Sequence, residues 1–331
     1  MSENLNDFLP WVEKYRPKTI DEIISHHQNI ETIKKLLIGG SLPHLLFHGS
    51  SGTGKTSTIM ALSKEIYGNN VRLMVMKLDA SDDRGINSVR EDIKGFAEKS
   101  NMFQKGVRLI ILDEADSMTF DAQFALRRII EKYSATIRFC LICNYENKII
   151  PAIRSRCANF RFSNIDIKHI SFKLNQIAVS EKLKYEPEVI NTISILAKGD
   201  LRKAINLLQS ISMHSDFITV ELCYETAGIP SNGEIKQIID ILMNDKIDFN
   251  KSYLVVNDLI KKQGYSLSTV LKELVIQILN DAKILEKIPQ TLSDLSDLEN
   301  MVTKSTFGDI YITSLVGIFK KNVRLIKNLI N

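Results

Sequence analysis

The sequence predicts an α/β fold: a parallel sheet covered by helices on both faces, followed by a half that is wholly helical. Three observations carry this. Four short apolar runs, His44 to His48, Leu73 to Leu78, Leu109 to Leu112 and Arg138 to Ile142, alternate with helical patterns between residue 20 and about 162. Continuous apolar runs of that length fit strands buried on both faces, the signature of a parallel sheet. Beyond Asn164 the runs stop, and the pattern reads as helices over about 166 to 182, 187 to 198, 201 to 211 and a longer set from about 232.

A chain of 331 residues exceeds the size at which a single core stops growing, so several domains are expected. Gly228-Ile229-Pro230-Ser231-Asn232-Gly233 interrupts the helical half with turn residues suited to a linker. The expected division is 1–164, an α/β domain; 165–229, a small helical domain; and 230–331, an all-helical domain. In the last of these, Leu267, Leu271, Leu274 and Ile278 recur at spacings of four, three and four, and Ile312, Val316, Phe319 and Val323 repeat them. Such stripes predict a helical bundle core, compatible with a face that also packs on a neighbouring subunit.

Hydrophobic residues make up 44% and charged residues 25%, the balance of a soluble globular protein and not of a disordered chain. The net charge of +4 falls wholly within residues 1–165 and is too small to identify a nucleic-acid binder by itself. No apolar run is long enough for a membrane span, and Met1-Ser2-Glu3-Asn4 is acidic and polar where a leader would be basic and then apolar, so an intracellular protein is expected. Four cysteines are too few for a disulfide framework. Cys140-x-x-Cys143 has the spacing of a metal or redox pair but lies inside an apolar strand run with no second ligand pair following, which favours core packing.

Gly49-Ser50-Ser51-Gly52-Thr53-Gly54-Lys55-Thr56 follows the strand run Leu45-Leu46-Phe47 and opens a helical stretch at Ser57. Strand, glycine-rich loop and helix in that order are the setting of a phosphate-binding loop. Glycines let the backbone curl with its N–H groups inward, and the helix adds its positive end. Gly49 through Ser57 are therefore candidate nucleotide-binding residues, with Lys55 reaching the β and γ phosphates and Thr56 holding Mg²⁺. About 55 residues later a second apolar strand ends in Asp113-Glu114-Ala115-Asp116. Acids at the carboxyl end of a parallel strand sit where ligands bind; Asp113 is the candidate metal residue and Glu114 the candidate base for an attacking water. Asn144, at the end of the next strand, is placed to contact the γ-phosphate or that water, although Asn after a strand is also a common turn residue. In Gly199-Asp200-Leu201-Arg202 a helix stop and an N-cap candidate, Asp200, precede an Arg in the first helical turn, where cations are disfavoured unless an anion faces them; a plain surface role stays open.

Here the pattern resembles one family, the small AAA+ subunits of replication factor C, the eukaryotic and archaeal sliding-clamp loader, and most of all its subunit 3/5 type. The resemblance spans nearly the whole chain. It rests on Leu9-Pro10-Trp11-Val12-Glu13-Lys14-Tyr15-Arg16-Pro17, on Leu78-Asp79-Ala80-Ser81-Asp82-Asp83-Arg84-Gly85-Ile86, on Asp113-Glu114-Ala115-Asp116 and on Ser155-Arg156-Cys157. It implies a RecA-like ATPase domain, a helical lid and a helical collar. It implies that Val12, Tyr15, Arg16 and Ile24 frame the adenine and ribose, and that Asn144 and Arg202 are the first and second sensors. Arg156 becomes an arginine finger acting in trans on a neighbour's ATP, so the isolated chain is expected to be a poor ATPase. Ser50-Ser51 departs from the two prolines of many members, and a softer loop with unchanged chemistry is expected.

The resemblance further implies a hetero-pentameric ring that binds ATP and Mg²⁺, opens the sliding clamp PCNA, loads it on primer-template DNA without sequence preference, and resides in the nucleus. Arg90 and Lys94 share a helix face, and with Arg84 they are candidates for phosphate-backbone contact; Glu91, three before Lys94, offers ordinary helix-surface pairing instead. Met118, Thr119 and Phe120 are candidates for clamp contact or for a helix start that packs internally. The alternative function is a nucleotide-binding structural subunit with little hydrolysis of its own. An independent branch-migration motor is disfavoured by the all-helical final hundred residues.

Overall fold

Five strands form one wholly parallel sheet: β1 (His44–Gly49), β2 (Val75–Asp79), β3 (Arg108–Asp113), β4 (Ile137–Cys143) and β5 (Cys157–Phe162), in the order β2-β3-β4-β1-β5. The computed structural model describes residues 9–38, 42–80, 91–96, 107–281, 289–305 and 310–330. Placing β1 beside β4 brings the carboxyl ends of β1, β3 and β4 together on one rim of the sheet. The rim is where loops between strand and helix meet, and in open parallel sheets it is where ligands bind.

The apolar runs are continuous because both faces are covered. Leu45, Phe47, Leu109, Ile111, Cys140 and Ile142 pack against α1 (His27–Ile38) and α2 (Lys55–Tyr67). Leu46, Ile110, Leu112, Phe139, Leu141 and Cys143 pack on the opposite side against α3 (Phe120–Tyr133). Leu45, Leu46 and Phe47 are completely buried, each worth about 1.5–3 kcal/mol of transfer free energy. Cys140 and Cys143 fall in opposite clusters, so the two thiols face away from each other across the sheet and cannot share a metal.

Two departures from the sequence pattern have simple causes. The run Leu73 to Leu78 is a strand only from Val75, because Val71–Met74 closes a helical turn that leaves Leu73 exposed. β5, an edge strand, is absent from the four expected runs, because Cys-Ala-Asn-Phe-Arg-Phe buries only Phe160 and Phe162 and alternates with polar residues.

After β5 come α4 (Ile167–Ser180), α5 (Val189–Leu196) and α6 (Leu201–His214), close to the three helices expected there. The residues past Asn164 are not free of strand, since Lys184–Tyr185 and Phe217–Ile218 are two-residue extended pieces. The chain divides into two compact units, Met1–Met213 and His214–Asn331. In the second, α7 (Asn232–Met243), α8 (Phe249–Gln263), α9 (Leu267–Asn280), α10 (Pro289–Lys304) and α11 (Ile310–Ile330) share one core that holds Leu267, Leu271, Leu274, Ile278, Ile312, Val316 and Phe319. Ser231 and Glu234 form a reciprocal capping box at the start of α7. Lys320, buried, donates to the carbonyls of Asn244 at 2.6 Å and Ile247 at 3.0 Å, closing the turn after α7.

His44 gives the first unit a pH dependence. Its Nδ1 accepts the Phe139 amide at 3.2 Å, and burial, aided by nearby Arg138, holds its pKa to about 4 against an ordinary 6.5. The folded state thus takes up the proton less readily than the unfolded chain. The stabilisation is complete above pH 6.5 and is lost as pH falls toward about 4. Urea denaturation of the native chain at pH 7 and pH 5 should show a loss larger by about 1–2 kcal/mol than that of His44→Asn, which keeps an acceptor but does not titrate.

Candidate nucleotide site

Strand β1 ends at Gly49, whose φ of +143° and close approach to β5 leave no room for a side chain: a Cβ there would lie 2.0 Å from the Phe162 carbonyl oxygen. The loop then turns through Gly52 at φ +66° and Gly54 at φ +93° into α2, which starts with no side-chain cap on its first-turn N–H groups. Uncapped amides at a helix start form an anion site. Lys55 is buried beneath them, its ammonium bonded to the carbonyls of Gly49 at 2.6 Å and Ser50 at 2.7 Å and to Asn144 Oδ1 at 3.1 Å. Burial holds its pKa below the usual lysine value. A charge so enclosed favours an anion beside it.

The acidic strand end meets this loop. Thr56 donates to Asp113 Oδ2 at 3.1 Å, and Lys77 on β2 lies 3.2 Å from the same oxygen. A hydroxyl and a single carboxylate form an oxygen donor set of the kind Mg²⁺ uses when most of its shell is water and phosphate. The donors present therefore fit that ion. Glu114 is exposed with φ +54°, a left-handed conformation uncommon outside glycine that turns the chain sharply after β3. Asp116 Oδ2 accepts the amides of Asn144 at 3.2 Å and Tyr145 at 3.1 Å, so it fixes the loop that carries Asn144 beside Lys55.

A third wall comes from the chain's start and from the helices after β5. Val12, Tyr15, Arg16 and Ile24 line the cleft together with Ser51 to Ser57, Asp113, Glu114, Asn144 and, on α6, Leu201, Arg202 and Ile205. Tyr15 donates its hydroxyl to Glu181 Oε1 at 2.5 Å, and Lys14 Nζ reaches the same oxygen at 2.7 Å. Burial, then the Glu181 carboxylate, push the Tyr15 pKa up to about 12. On the other side, the Leu201 amide donates to the Gly52 carbonyl at 3.2 Å, and a Cβ on Gly52 would fall 1.7 Å from Asp200 Oδ1. That oxygen caps α6 by accepting the Lys203 amide at 2.9 Å. Ser50 donates its hydroxyl to Asn164 Oδ1, and Asn164 Nδ2 donates to the Lys198 carbonyl at 3.3 Å.

The structure thus gathers the expected cleft residues on one rim, with Gly49 and Ser50 forming the base of the loop. Arg156 stands apart from the cleft: its guanidinium pairs with Glu131 at 2.6 Å, and Arg127 shares that carboxylate at 3.0 Å. The two arginines hold the Glu131 carboxyl below its ordinary pKa, Arg127 contributing more. Lys94 is exposed on the helical segment 91–96, whereas Arg84 and Arg90 lie outside the described residues. Thr119 is the N-cap of α3, accepting the Ala122 amide, while Phe120 and Phe124 are exposed one turn apart. Sequence reasoning gave no role to Asp116, Asn164, Glu181 or Lys77. Only Asp116 carried a visible signal, as the last acid of its cluster.

The ATPase family associated with various cellular activities (AAA) matches residues 45–164, and the RCF1/5-like, AAA+ ATPase lid domain matches residues 173–213. The chain is 47% identical over 319 residues to "Probable replication factor C subunit 5" of Dictyostelium discoideum, covering 94% of this chain and 90% of that one. It is 40% identical to replication factor C subunit 3 of Saccharomyces cerevisiae over 94% of this chain and 93% of the relative, and 41% identical to human replication factor C subunit 5 over 94% and 92%. Among solved structures it is similar to the Thermotoga maritima RuvB Holliday junction branch migration motor, with a TM-score of 0.52 over 80% of this chain and 91% of that one. At 17% identity that likeness concerns the fold alone. The cleft that joins phosphate loop, acidic strand end and lid is accordingly found in a chain that belongs to the replication factor C clamp-loader subunits, AAA+ ATPase-type proteins of DNA replication.

Proposed function

We propose that this chain binds and hydrolyses ATP with Mg²⁺ within a hetero-pentameric replication factor C ring, and that the ring opens the sliding clamp PCNA and loads it on primer-template DNA in the nucleus. The observation that carries the reading is the meeting of Lys55, Thr56, Asp113, Glu114 and Asn144 on one rim, faced by Arg202. The loop amides and Lys55 hold the β and γ phosphates, and Val12, Tyr15, Arg16 and Ile24 enclose the base and ribose. Thr56 and Asp113 hold Mg²⁺, which offsets charge on the phosphates. Glu114 takes a proton from the water whose oxygen attacks the γ-phosphorus as the bond to the β-phosphate oxygen breaks, releasing ADP and phosphate. Asn144 orients that water or the γ-phosphate, and Arg202 reports the γ-phosphate to the lid.

Arg156 acts on the neighbouring subunit's ATP, a reading supported by its exposed position outside the lining of the chain's own cleft. In this chain its guanidinium is held by Glu131 and by the Ala152 carbonyl, to which it donates at 2.6 Å. Clamp contact is assigned to the Met118, Thr119 and Phe120 turn, supported by the exposed Phe120 and Phe124. DNA backbone contact is assigned to Arg84, Arg90 and Lys94. The domain limits 1–164, 165–229 and 230–331 are kept as the lid and collar boundaries of this reading. The competing reading is a structural subunit that binds nucleotide without turning it over.

In the reconstituted complex, Glu114→Gln should lower DNA-stimulated phosphate release at this site by about 10²-fold or more while ATP still binds. Unchanged release would favour the structural subunit. Arg156→Ala should slow turnover at the adjacent site by about 10³-fold, read by single-turnover phosphate release, while ATP affinity of the isolated chain stays as in the native protein. Loss of the isolated chain's own ATP binding would contradict a role in trans.

A further inference from the structure

Lys77 has no place in the scheme above, yet its ammonium lies 3.2 Å from Asp113 Oδ2, the oxygen that also accepts the Thr56 hydroxyl at 3.1 Å. Lys77 belongs to β2, the outer strand of the sheet, with Asp79 of β2 in register with Asp113 of β3. Its side chain is 43% exposed, whereas that of Asp113 is 19% exposed. One partner is therefore fixed at the rim and the other sits on a flexible stem with open solvent beside it.

We propose that Lys77 is a positioning residue for the metal: it pairs with Asp113 when no metal is bound and must release that carboxylate for Mg²⁺ to settle between Thr56 and Asp113. A single positive charge and a divalent cation on one carboxylate oxygen repel each other, a repulsion that solvent screens at this partly exposed rim but does not abolish. The lysine leaves because its exposed stem swings into water at little cost. The pair keeps Asp113 aimed at Thr56 in the empty site and sets a threshold on metal entry. This inference rests on the Mg²⁺ and ATP reading of the cleft.

The test is calorimetric titration of the full chain with ATP, once in excess Mg²⁺ and once in EDTA, for native protein, Lys77→Met and Lys77→Arg. The ratio of the dissociation constant in EDTA to that in Mg²⁺ measures the metal's contribution. Removing a competing exposed ion pair should raise this ratio in Lys77→Met by about two- to fivefold, and Lys77→Arg should restore the native value. The rise should shrink when salt is increased tenfold. An unchanged or smaller ratio in Lys77→Met overturns the proposal. So does a Lys77→Met loss of affinity in EDTA, which would put the ammonium on phosphate. Absence of ATP binding by the native chain sinks the nucleotide reading itself, whereas binding that is equal in all three proteins sinks only the role of Lys77.

Discussion

The turn from β1 into α2 is the constraint on which the rest of the first unit depends. To pass from a strand held on both sides to a helix, the chain reverses through glycines at positive φ, and the reversal leaves the first amides of α2 without side-chain caps. Lys55 is then locked by the carbonyls of the same loop, Thr56 by the acid at the end of β3, and the start of α6 by the Gly52 carbonyl. Each such hydrogen bond contributes about 1 kcal/mol, a small amount singly. Their common feature is that they converge on eight consecutive residues. The absence of a Cβ at Gly52 is what admits Asp200, so the glycine serves the contact with the lid as much as the curl of the loop.

That joint also ties the helical segment after β5 to the cleft. Asn164, at the exit of the sheet, bonds both Ser50 in the loop and the Lys198 carbonyl just before α6. Lys14 and Tyr15 meet Glu181 near the end of α4, giving a second tie from the cleft wall to the lid. Burial raises the Glu181 carboxyl, and the bonds from Lys14 and Tyr15 more than offset it, leaving the pKa lowered. The loop and Tyr15 are therefore each tied to the same helical layer. Arg156 pairs with Glu131 outside that circuit.

Much of this was legible in the amino-acid order because its causes are local. Strands buried on both faces give unbroken apolar runs, and a glycine-rich turn followed by Lys-Thr declares itself without tertiary information. The stripes at Leu267 to Ile278 and Ile312 to Phe319 located the core of the second unit for the same reason, period 3.6 on amphipathic helices. β5 was harder, since an edge strand buries only alternate residues, and Leu73 was drawn into a strand run that begins two residues later. The ties Ser50 to Asn164, Gly52 to Asp200, Tyr15 to Glu181 and Lys77 to Asp113 join residues 36 to 166 positions apart. Nothing in a single sequence marks such pairs, because one member of each, Asn164, Asp200, Glu181 or Lys77, alone reads as an ordinary polar residue.

The central claim is that the loop from Gly49 to Thr56 holds nucleotide through its amides and the buried Lys55. Calorimetric titration of the native chain and of Lys55→Ala with ATP in excess Mg²⁺ tests it most directly. The account predicts saturable one-to-one binding by the native chain and a loss of at least tenfold in affinity on removing the ammonium, since a charged hydrogen bond to phosphate is worth about 1.5–3 kcal/mol. Equal affinity for the two proteins would contradict it.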